Sequence, residues 1–446
     1  MSKIDKIHGL YYNFNVISRK YINELSNFIG QNISVCGFVN TVRNQGGIKF
    51  ILLRDNTGFI QCVVLKSNTE AFELAGNLFN ESVVRITGLL KEEKQAPGGF
   101  EILAEEIEVL SLSDAELPIP VNQDKIIDDV EVSKRMDYRW LDLRDPEKLK
   151  IFRVWTSLEE GFRKVYRDLN FIQIYTPSLV GTATEGGSEV FEVKYFDRKA
   201  YLAQSPQFYK QMAMASGFDR VFISNPMFRA EPSYTTRHLT EFTMWDFEVS
   251  FIDSHHDVMD IEEKLLISGI TQINNDLNLG LEVPTAPFPR IPFEEAKKIL
   301  KSRAVISDKE NDFSPEEERE IAKYVKETFN SDFVFITDYY FSGRPFYTKK
   351  HEENPKLSKS FDLLYKGIEI TSGAQREHRA DVLEKQISEK GLNPEDFKDY
   401  IEFFKYGCPP HGGVGIGPGR IVMQILNLNS VKESSFLPRD VKRLNP

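Results

Sequence analysis

The spacing of apolar side chains changes character along the chain. From Asn32 it is that of strands: NISVCGFVNTVR, KFILLRD and FIQCVVL alternate or run apolar, split by Gly46-Gly47 and by Asp55-Asn56-Thr57-Gly58, which are turn signals. SVVRITGLL and FEILAEEIEVL follow, separated by Gln95-Ala96-Pro97-Gly98-Gly99. Between these two sets, Glu70 to Phe79 is the one stretch at helical spacing. Five strands and one short helix in about 80 residues predict a Greek-key barrel of the OB type over 30–112. Residues 1–29 read as an extension, with a short helix over Arg19 to Phe28. Residues 113–145, with Pro118, Pro120 and the acidic DDVEVSKRMDYRWLDLRDP, read as a linker.

From residue 146 the period becomes helical: Ile151, Val154, Trp155, Leu158, Phe162, Val165 and Tyr166 predict a helix over Glu147 to Leu169. FIQIYTPSLV is a strand broken by Pro177, which suits an edge or an interface. TATEGGS, residues 182–188, reads as a polar glycine-rich loop. Ser205-Pro206 starts a helix whose first turns carry Gln207 and Lys210 on one face. Phe228 to Glu248 reads as a hairpin. Arg229 and Glu231 share a face of its first strand; Phe242, Met244, Asp246 and Glu248 share a face of the second, opposite Thr243, Trp245 and Phe247. Further on, Asp257 to Ile273 is helical and Ser314-Pro315-Glu316-Glu317 starts a helix with a capping box. Asp332 to Thr337 is a strand, and SFDLLYKGIEITS makes two strands around Lys366-Gly367. Arg379 to Tyr406 is mostly helical with a break near Gly391, and GGVGIGPGRIVMQIL runs from a glycine-rich strand into a helix near Arg420. Helices interspersed with hairpins predict an α+β domain on a mainly antiparallel sheet over 146–446.

Composition narrows the function classes. A chain of 446 residues, 41% hydrophobic and 28% charged, is long enough for two or three globular domains. The net charge of −11 argues against a protein coated with nucleic acid through bulk charge, but 56 Lys and Arg leave room for local basic grooves. Cys36, Cys62 and Cys408 are scattered and odd in number, with no CxxC pair, so a disulfide framework and a zinc site are both unsupported. With no signal-peptide pattern and no apolar run of membrane-spanning length, a cytoplasmic protein with no membrane association is expected.

The polar positions carry the chemistry. Arg229, Arg237 and Arg420 are candidate phosphate partners, Arg420 standing at a helix N-terminus that itself favours anions. The glycine run before it is neither a Walker loop nor a dinucleotide fingerprint. Glu369 and Ser372 are either magnesium ligands beside phosphate oxygens or an exposed strand end. His255-His256 and His351 have no metal-ligand spacing and are expected at the surface; His378 and His411 either orient phosphates or make structural hydrogen bonds. In the barrel, Arg43, Phe50 and Gln61 combine a cation, a ring and an amide, as RNA bases require, unless Phe50 belongs to the core.

Together these segments resemble a known family. FRAE…TTRHLTEFTMWDFE, GVGIGPGRIVM and FIQIYTPSLV look like motifs 2, 3 and 1 of the class II aminoacyl-tRNA synthetases. The barrel ahead of them resembles the subclass (b) of aspartyl, asparaginyl and lysyl enzymes. GGIKFILLRD, TATEGGSEVF, QSPQFYKQ, RPFYTK, GIEITSGAQREH and FLPRDVKRL are similar to the archaeal-type aspartyl group, from about Ile17 to the C-terminus. The resemblance implies aspartate activation by ATP, then transfer to tRNA(Asp), by a homodimer using Mg2+. It implies ATP contacts from Arg229, Ala230, Glu231, Arg237, His238, Leu239, Phe242, Glu369, Gly417, Pro418, Gly419 and Arg420, with Arg229 and Arg420 catalytic and Glu369 and Ser372 on the metal. L-aspartate would meet Glu185, Gln207, Lys210, Arg229, Asp246, Ser372 and Arg376; Lys210 and Arg376 suit its side-chain carboxylate, and Glu185, Gln207 and Asp246 its ammonium. Arg43, Phe50 and Gln61 would read the anticodon, which favours stacking for Phe50. Two departures stand out. Gly37-Phe38 replaces a common Gly-Trp and Pro97 lies in the loop facing the last anticodon base, which opens the alternative of an enzyme that also charges tRNA(Asn). Gly419 replaces the usual motif 3 acid before Arg420. A further alternative is a silent RNA-binding paralogue, against which Arg229, Glu369, Ser372 and Arg420 stand.

Overall fold

In the computed structural model five strands close into a barrel: β1 (Asn32–Asn44), β2 (Ile48–Arg54), β3 (Phe59–Leu65), β4 (Val83–Glu92) and β5 (Phe100–Ser111), in the order β1-β2-β3-β5-β4. The structure describes residues 19–121, 131–181, 189–232 and 235–446. The 182–188 loop, and Glu185 with it, lies outside them. Alternation along β1 to β4 sends Val35, Val39, Ile51, Leu53, Ile60, Cys62, Val84 and Ile86 into the barrel core. Burial there pushes the Cys62 thiol far up and keeps it protonated. The predicted helix is α1 (Thr69–Gly76), opened by Asn68, whose side chain accepts from the Ala71 amide. The segment Ile22–Phe28 forms a 3-10 helix. Short helices α2 (Val132–Asp137) and α3 (Arg139–Asp142) follow, with Arg135 and Arg139 both paired to the buried Asp142. The chain divides into two compact units after Leu149.

The second unit is built on an eight-stranded sheet. Its strands are β6 (Ile172–Gln173), β10 (Arg220–Phe228), β11 (Glu241–Ser250), β12 (Arg290–Pro292), β13 (Phe333–Thr337), β14 (Ser360–Tyr365), β15 (Ile368–Gln375) and β16 (His411–Ile416). The order is β12-β13-β14-β15-β16-β11-β10-β6, antiparallel except for the parallel pairs at its two edges. Three further strands, β7 (Leu179–Val180), β8 (Glu192–Tyr195) and β9 (Arg198–Leu202), form a small separate sheet. Pro177 therefore interrupts its segment as expected, between β6 and β7.

One face of the large sheet is covered by α4 (Pro146–Asp168) and α6 (His255–Leu277). Their apolar stripes meet Trp245, Phe247 and Val249 of β11 and Val414 and Ile416 of β16 in one core. The helices cross at Gly161 and Gly269, where a Cβ on Gly161 would lie 2.6 Å from the Gly269 Cα. The remaining helices are α5 (Gln207–Ala215), α7 (Phe293–Ser302), α8 (Pro315–Phe329), α9 (Ala380–Glu389), α10 (Lys398–Phe404), α11 (Pro418–Ile425) and α12 (Val431–Ser434). Ser314 and Glu317 form the expected capping box of α8.

Candidate active site

The face of the sheet opposite α4 and α6 floors a cleft of about 1020 Å3. The hairpin alternation is realised: Phe242, Met244 and Asp246 line the cleft, while Trp245 and Phe247 enter the core. One expectation fails here. β10 ends at Phe228, so Arg229 and Glu231 lie in the loop beyond it rather than on one face of a strand. Their side chains still meet, at 3.8 Å, because the loop folds back over β11, with the Arg229 guanidinium 5.4 Å from the centre of the Phe242 ring.

Glu369 and Ser372 are three apart on β15, which in a regular strand would put them on opposite faces. A bulge resolves this. Pairing with β14 jumps from Leu363↔Thr371 to Leu364↔Glu369, leaving Ile370 as the extra residue. Ile370 joins the core and the Thr371 hydroxyl donates to Glu262 of α6 at 2.5 Å, so Glu369 and Ser372 are both left on the cleft side.

The cleft is organised as a series of cation–carboxylate pairs. Arg420 donates to the Glu369 carbonyl at 2.8 Å and lies 3.6 Å from its carboxylate. Arg237 pairs with Glu318 at the first turn of α8, and His238 lies 3.9 Å from Glu231. Burial and the nearby Arg420 hold His238 below its ordinary pKa, so it is a neutral ring facing the cleft. Arg344 makes a two-pronged pair with Asp362, at 3.1 and 2.5 Å, and also donates to the Ser372 hydroxyl at 3.3 Å. Enclosure and the adjacent Asp362 carboxylate hold Glu369 above the usual carboxylate range, although 37% of its side chain remains open to the cleft.

At the deep end sits a buried chain of four charges. Lys210, 1% exposed, donates to Asp246 at 2.8 Å and to the Val414 carbonyl at 3.2 Å, and lies 3.5 Å from Glu248. Arg376 donates to Glu248 at 3.0 Å and to the Gly413 carbonyl at 2.8 Å. Burial raises Asp246 despite Lys210. It also opposes ionisation of Glu248, but there Arg376 and Lys210 win and keep its carboxyl below the usual range. Gln207 donates to Gln211, which also accepts from Tyr400 and meets His411 at 3.0 Å, so Gln207 is tied into a buried amide network. His411, fully buried and lowered to about 4, is a structural member of that network rather than a phosphate ligand.

The structure brings together nearly all the expected residues of the cleft: Arg229, Glu231, Arg237, His238, Leu239, Phe242, Asp246, Gln207, Lys210, Glu369, Ser372, Arg376, Gly417, Gly419 and Arg420. Ala230 and Pro418 do not line it; the Ala230 amide donates to the Glu189 carbonyl and Pro418 is buried at the start of α11. Gly419 is closely packed: a Cβ there would lie 3.2 Å from the Ser434 hydroxyl and 3.3 Å from Val431, both of which also line the cleft. Glu318, Arg344 and Asp362 were not anticipated as site residues. Asp362 carried a signal as a lone charge in the apolar run FDLLY, and Arg344 stands in the RPFYTK segment; Glu318, one residue beyond the helix start at 314–317, carried none. The surface placement of His255 is also corrected: it is buried, and its ring and that of His351 both approach Asp338, at 3.3 and 2.8 Å. Among the described residues no cluster of His, Cys, Asp and Glu could hold a metal ion unaided.

In the barrel, Arg43 of β1 stands opposite Phe50 of β2. Phe50 is half-buried and outside the core, because its neighbours Lys49, Ile51 and Leu53 take the inward positions. Gln61, on the same outer face of β3, donates to Glu101 at 2.7 Å.

A family model for class II tRNA synthetases (D, K and N) matches residues 131–441, and one for an OB-fold nucleic acid binding domain matches 33–110. The chain is 41% identical over 437 residues to an aspartate–tRNA(Asp) ligase of Pyrococcus furiosus, covering 96% of this chain and 99% of that one. It is 43% identical to an aspartate–tRNA(Asp/Asn) ligase of Methanopyrus kandleri, covering 94% and 96%. Among solved structures, asparaginyl-tRNA synthetase from Pyrococcus horikoshii complexed with asparaginyl-adenylate superposes with a TM-score of 0.89 at 32% identity, covering 96% and 100%. Aspartyl-tRNA synthetase from Entamoeba histolytica gives 0.85 at 32% identity, covering 97% and 93%.

Proposed function

The chain belongs to the class II tRNA synthetases of the D, K and N group, and from that premise we propose that it activates L-aspartate with ATP and transfers it to the 3′ end of tRNA(Asp). The observation that carries the choice of amino acid is the pair of buried cations, Lys210 and Arg376, at the deep end of the cleft. Both are already paired to carboxylates of the chain, Lys210 to Asp246 and Arg376 to Glu248; an acidic side chain would share these cations through charge-assisted hydrogen bonds, whereas a neutral amide brings them no charge. Asp246, with an oxygen that has no hydrogen-bond partner, is suited to the substrate ammonium.

In the first step the aspartate α-carboxylate attacks the α-phosphorus and the bond to pyrophosphate breaks. The side chains act by position and charge. Arg229 offsets charge at the α-phosphate while Phe242 stacks on the adenine; Arg237, His238 and Arg420 hold the distal phosphates. Each arginine is already oriented by a carboxylate, so little reorganisation is needed when the nucleotide enters. In the second step the terminal ribose hydroxyl of the tRNA attacks the adenylate carbonyl and AMP leaves. The oxygen donors of Glu369 and Ser372 fit Mg2+: burial and the neighbouring Asp362 carboxylate raise Glu369, a cation there would favour its ionised form, and phosphate oxygens would complete the set. When bound, the ion would neutralise charge on the ATP phosphates.

Residues 30–112 serve as the anticodon-binding domain, with Arg43, Phe50 and Gln61 on its outer face, and 146–446 as the catalytic domain. A homodimer through the motif 1 segment is supported by the exposed Ile172, Tyr175 and Leu179 on and beside β6 and β7. The enzyme would work in the cytoplasm; among the described residues no helix is long and apolar enough to cross a membrane. Relatives named for both tRNA(Asp) and tRNA(Asn), together with Phe38 and Pro97, favour a second reading in which tRNA(Asn) is charged too. Charging purified tRNA(Asp) and tRNA(Asn) side by side tests both: aspartate on neither tRNA overturns the assignment, and aspartate on both selects the second reading.

A further inference from the structure

A second cavity, of about 1290 Å3, adjoins the cleft. Asn311 lines both, and Gly343 is pressed against it so closely that a Cβ there would lie 2.9 Å from the Asn311 carbonyl oxygen. The first turn of α8 serves both cavities as well. Glu318 holds Arg237 in the cleft, and the preceding Glu317 accepts from Lys297 at 2.8 Å in the second cavity.

The charge of this cavity is opposite to that of the chain. Six lysines and four glutamates line it, on a protein of net charge −11. Three of the glutamates are engaged: Glu317 with Lys297, Glu294 with the Tyr340 hydroxyl, and Glu389 with Lys350. Lys297, Lys309 and Lys390 are held by carbonyls or carboxylates. Lys298 and Lys301, one turn apart on α7, and Lys356 have no ion pair or hydrogen bond from their ammonium groups among the described residues, and all three are exposed. Opposite them only Glu310 is unengaged. The crowding is felt by Lys390, which burial and the neighbouring Lys350 hold below its ordinary pKa. The Phe341 ring already carries Lys350 and Lys390, at 4.3 and 4.4 Å, so it is not free to stack on a base. Free ammonium groups without a free ring suit a backbone of phosphates rather than a base.

We propose that this cavity binds the sugar-phosphate backbone of the RNA substrate next to the end that enters the cleft, through Lys298, Lys301 and Lys356. The inference rests on the reading of the chain as a tRNA ligase. Its occupant must then be a polyanion that reaches the cleft, and the shared Asn311 wall makes the cavity adjacent to where the RNA end reacts.

The test is Lys298→Ala/Lys301→Ala in the full chain, assayed with the matching tRNA transcript. Each phosphate contact contributes roughly a threefold loss of affinity between 50 and 200 mM salt. The double variant should therefore show a higher KM for tRNA, with the loss between those salt concentrations smaller than wild type by about tenfold. Amino-acid-dependent ATP–pyrophosphate exchange should be unchanged, and K298R/K301R should behave as wild type. An unaltered tRNA KM and salt dependence would overturn the proposal, as would a fall in exchange equal to the fall in charging, since the cavity would then serve the small substrates. Failure of the underlying reading looks different: the wild-type protein itself would show no exchange and no charging.

Discussion

Replacing Lys210 by Met keeps the length of the side chain and deletes one charge from the buried chain Asp246–Lys210–Glu248–Arg376. The ammonium contacts Asp246 at 2.8 Å and the Val414 carbonyl at 3.2 Å, and its side chain is 1% exposed. Without it, a buried carboxylate already raised by burial loses its cation. Breaking a buried pair on one side costs about 3–5 kcal/mol, so Lys210→Met should lower the unfolding free energy by that amount. If Lys210 also meets the substrate carboxylate, aspartate activation suffers separately. A loss of about 3 kcal/mol there is more than a hundredfold in the aspartate KM of ATP–pyrophosphate exchange. The two effects separate in Lys210→Met/Asp246→Asn. Removing both partners should restore much of the stability in urea melts, because no unpaired carboxylate is left. It should not restore aspartate activation, because both substrate contacts are gone. A double variant that regains stability and aspartate kinetics together would refute the reasoning and reduce Lys210 to a counter-ion of Asp246.

Other expectations are simpler. Arg229→Ala should lower the exchange rate by about 10²–10³-fold, the usual effect of deleting one charge-stabilising donor; an unchanged rate would exclude contact with the reacting phosphate. Phe50→Ala should leave exchange intact and weaken tRNA charging by about 1–3 kcal/mol, as loss of one stacked base does, whereas equal loss in both assays would mean that the ring supports the fold. Glu262, buried under β15 with one oxygen unpartnered, is pushed up by burial to about 8. A carboxyl raised in the folded state binds a proton that the unfolded chain releases, so the protein should lose stability as pH rises from about 4.5 towards 8. Glu262→Gln should flatten that dependence and raise the melting temperature at pH 8; identical pH profiles for the two proteins would contradict the assignment.

Most of the fold was legible because its elements obey simple periods. The stripe Ile151–Tyr166, the alternation of Phe242 to Glu248 and the capping box at Ser314 each appear where the spacing puts them. What failed were features that break the period. The hairpin pattern extended the first strand through Glu231, whereas β10 stops at Phe228. The bulge at Ile370 returns Glu369 and Ser372 to one face, and no periodic reading contains it. The partners of the arginines were hidden for a different reason. Glu318 and Asp362 come from segments distant in sequence, and only the sheet order brings β14 and α8 to the cleft. His255 looked superficial because its partners, Asp338 and His351, lie more than 80 residues further along. Lys298 and Lys301 carried no signal in the sequence: they lie on the exposed side of α7, a helix the spacing did not single out, and their significance depends on the cavity that α7 helps to enclose.

The central claim is that two buried cations select an acidic amino acid for activation. ATP–pyrophosphate exchange with the wild-type chain, run in parallel with L-aspartate and L-asparagine, measures this directly. Aspartate should support exchange at low concentration, and asparagine should support none or require a far higher one. Exchange driven equally by both amino acids, or by asparagine in preference, would contradict the account.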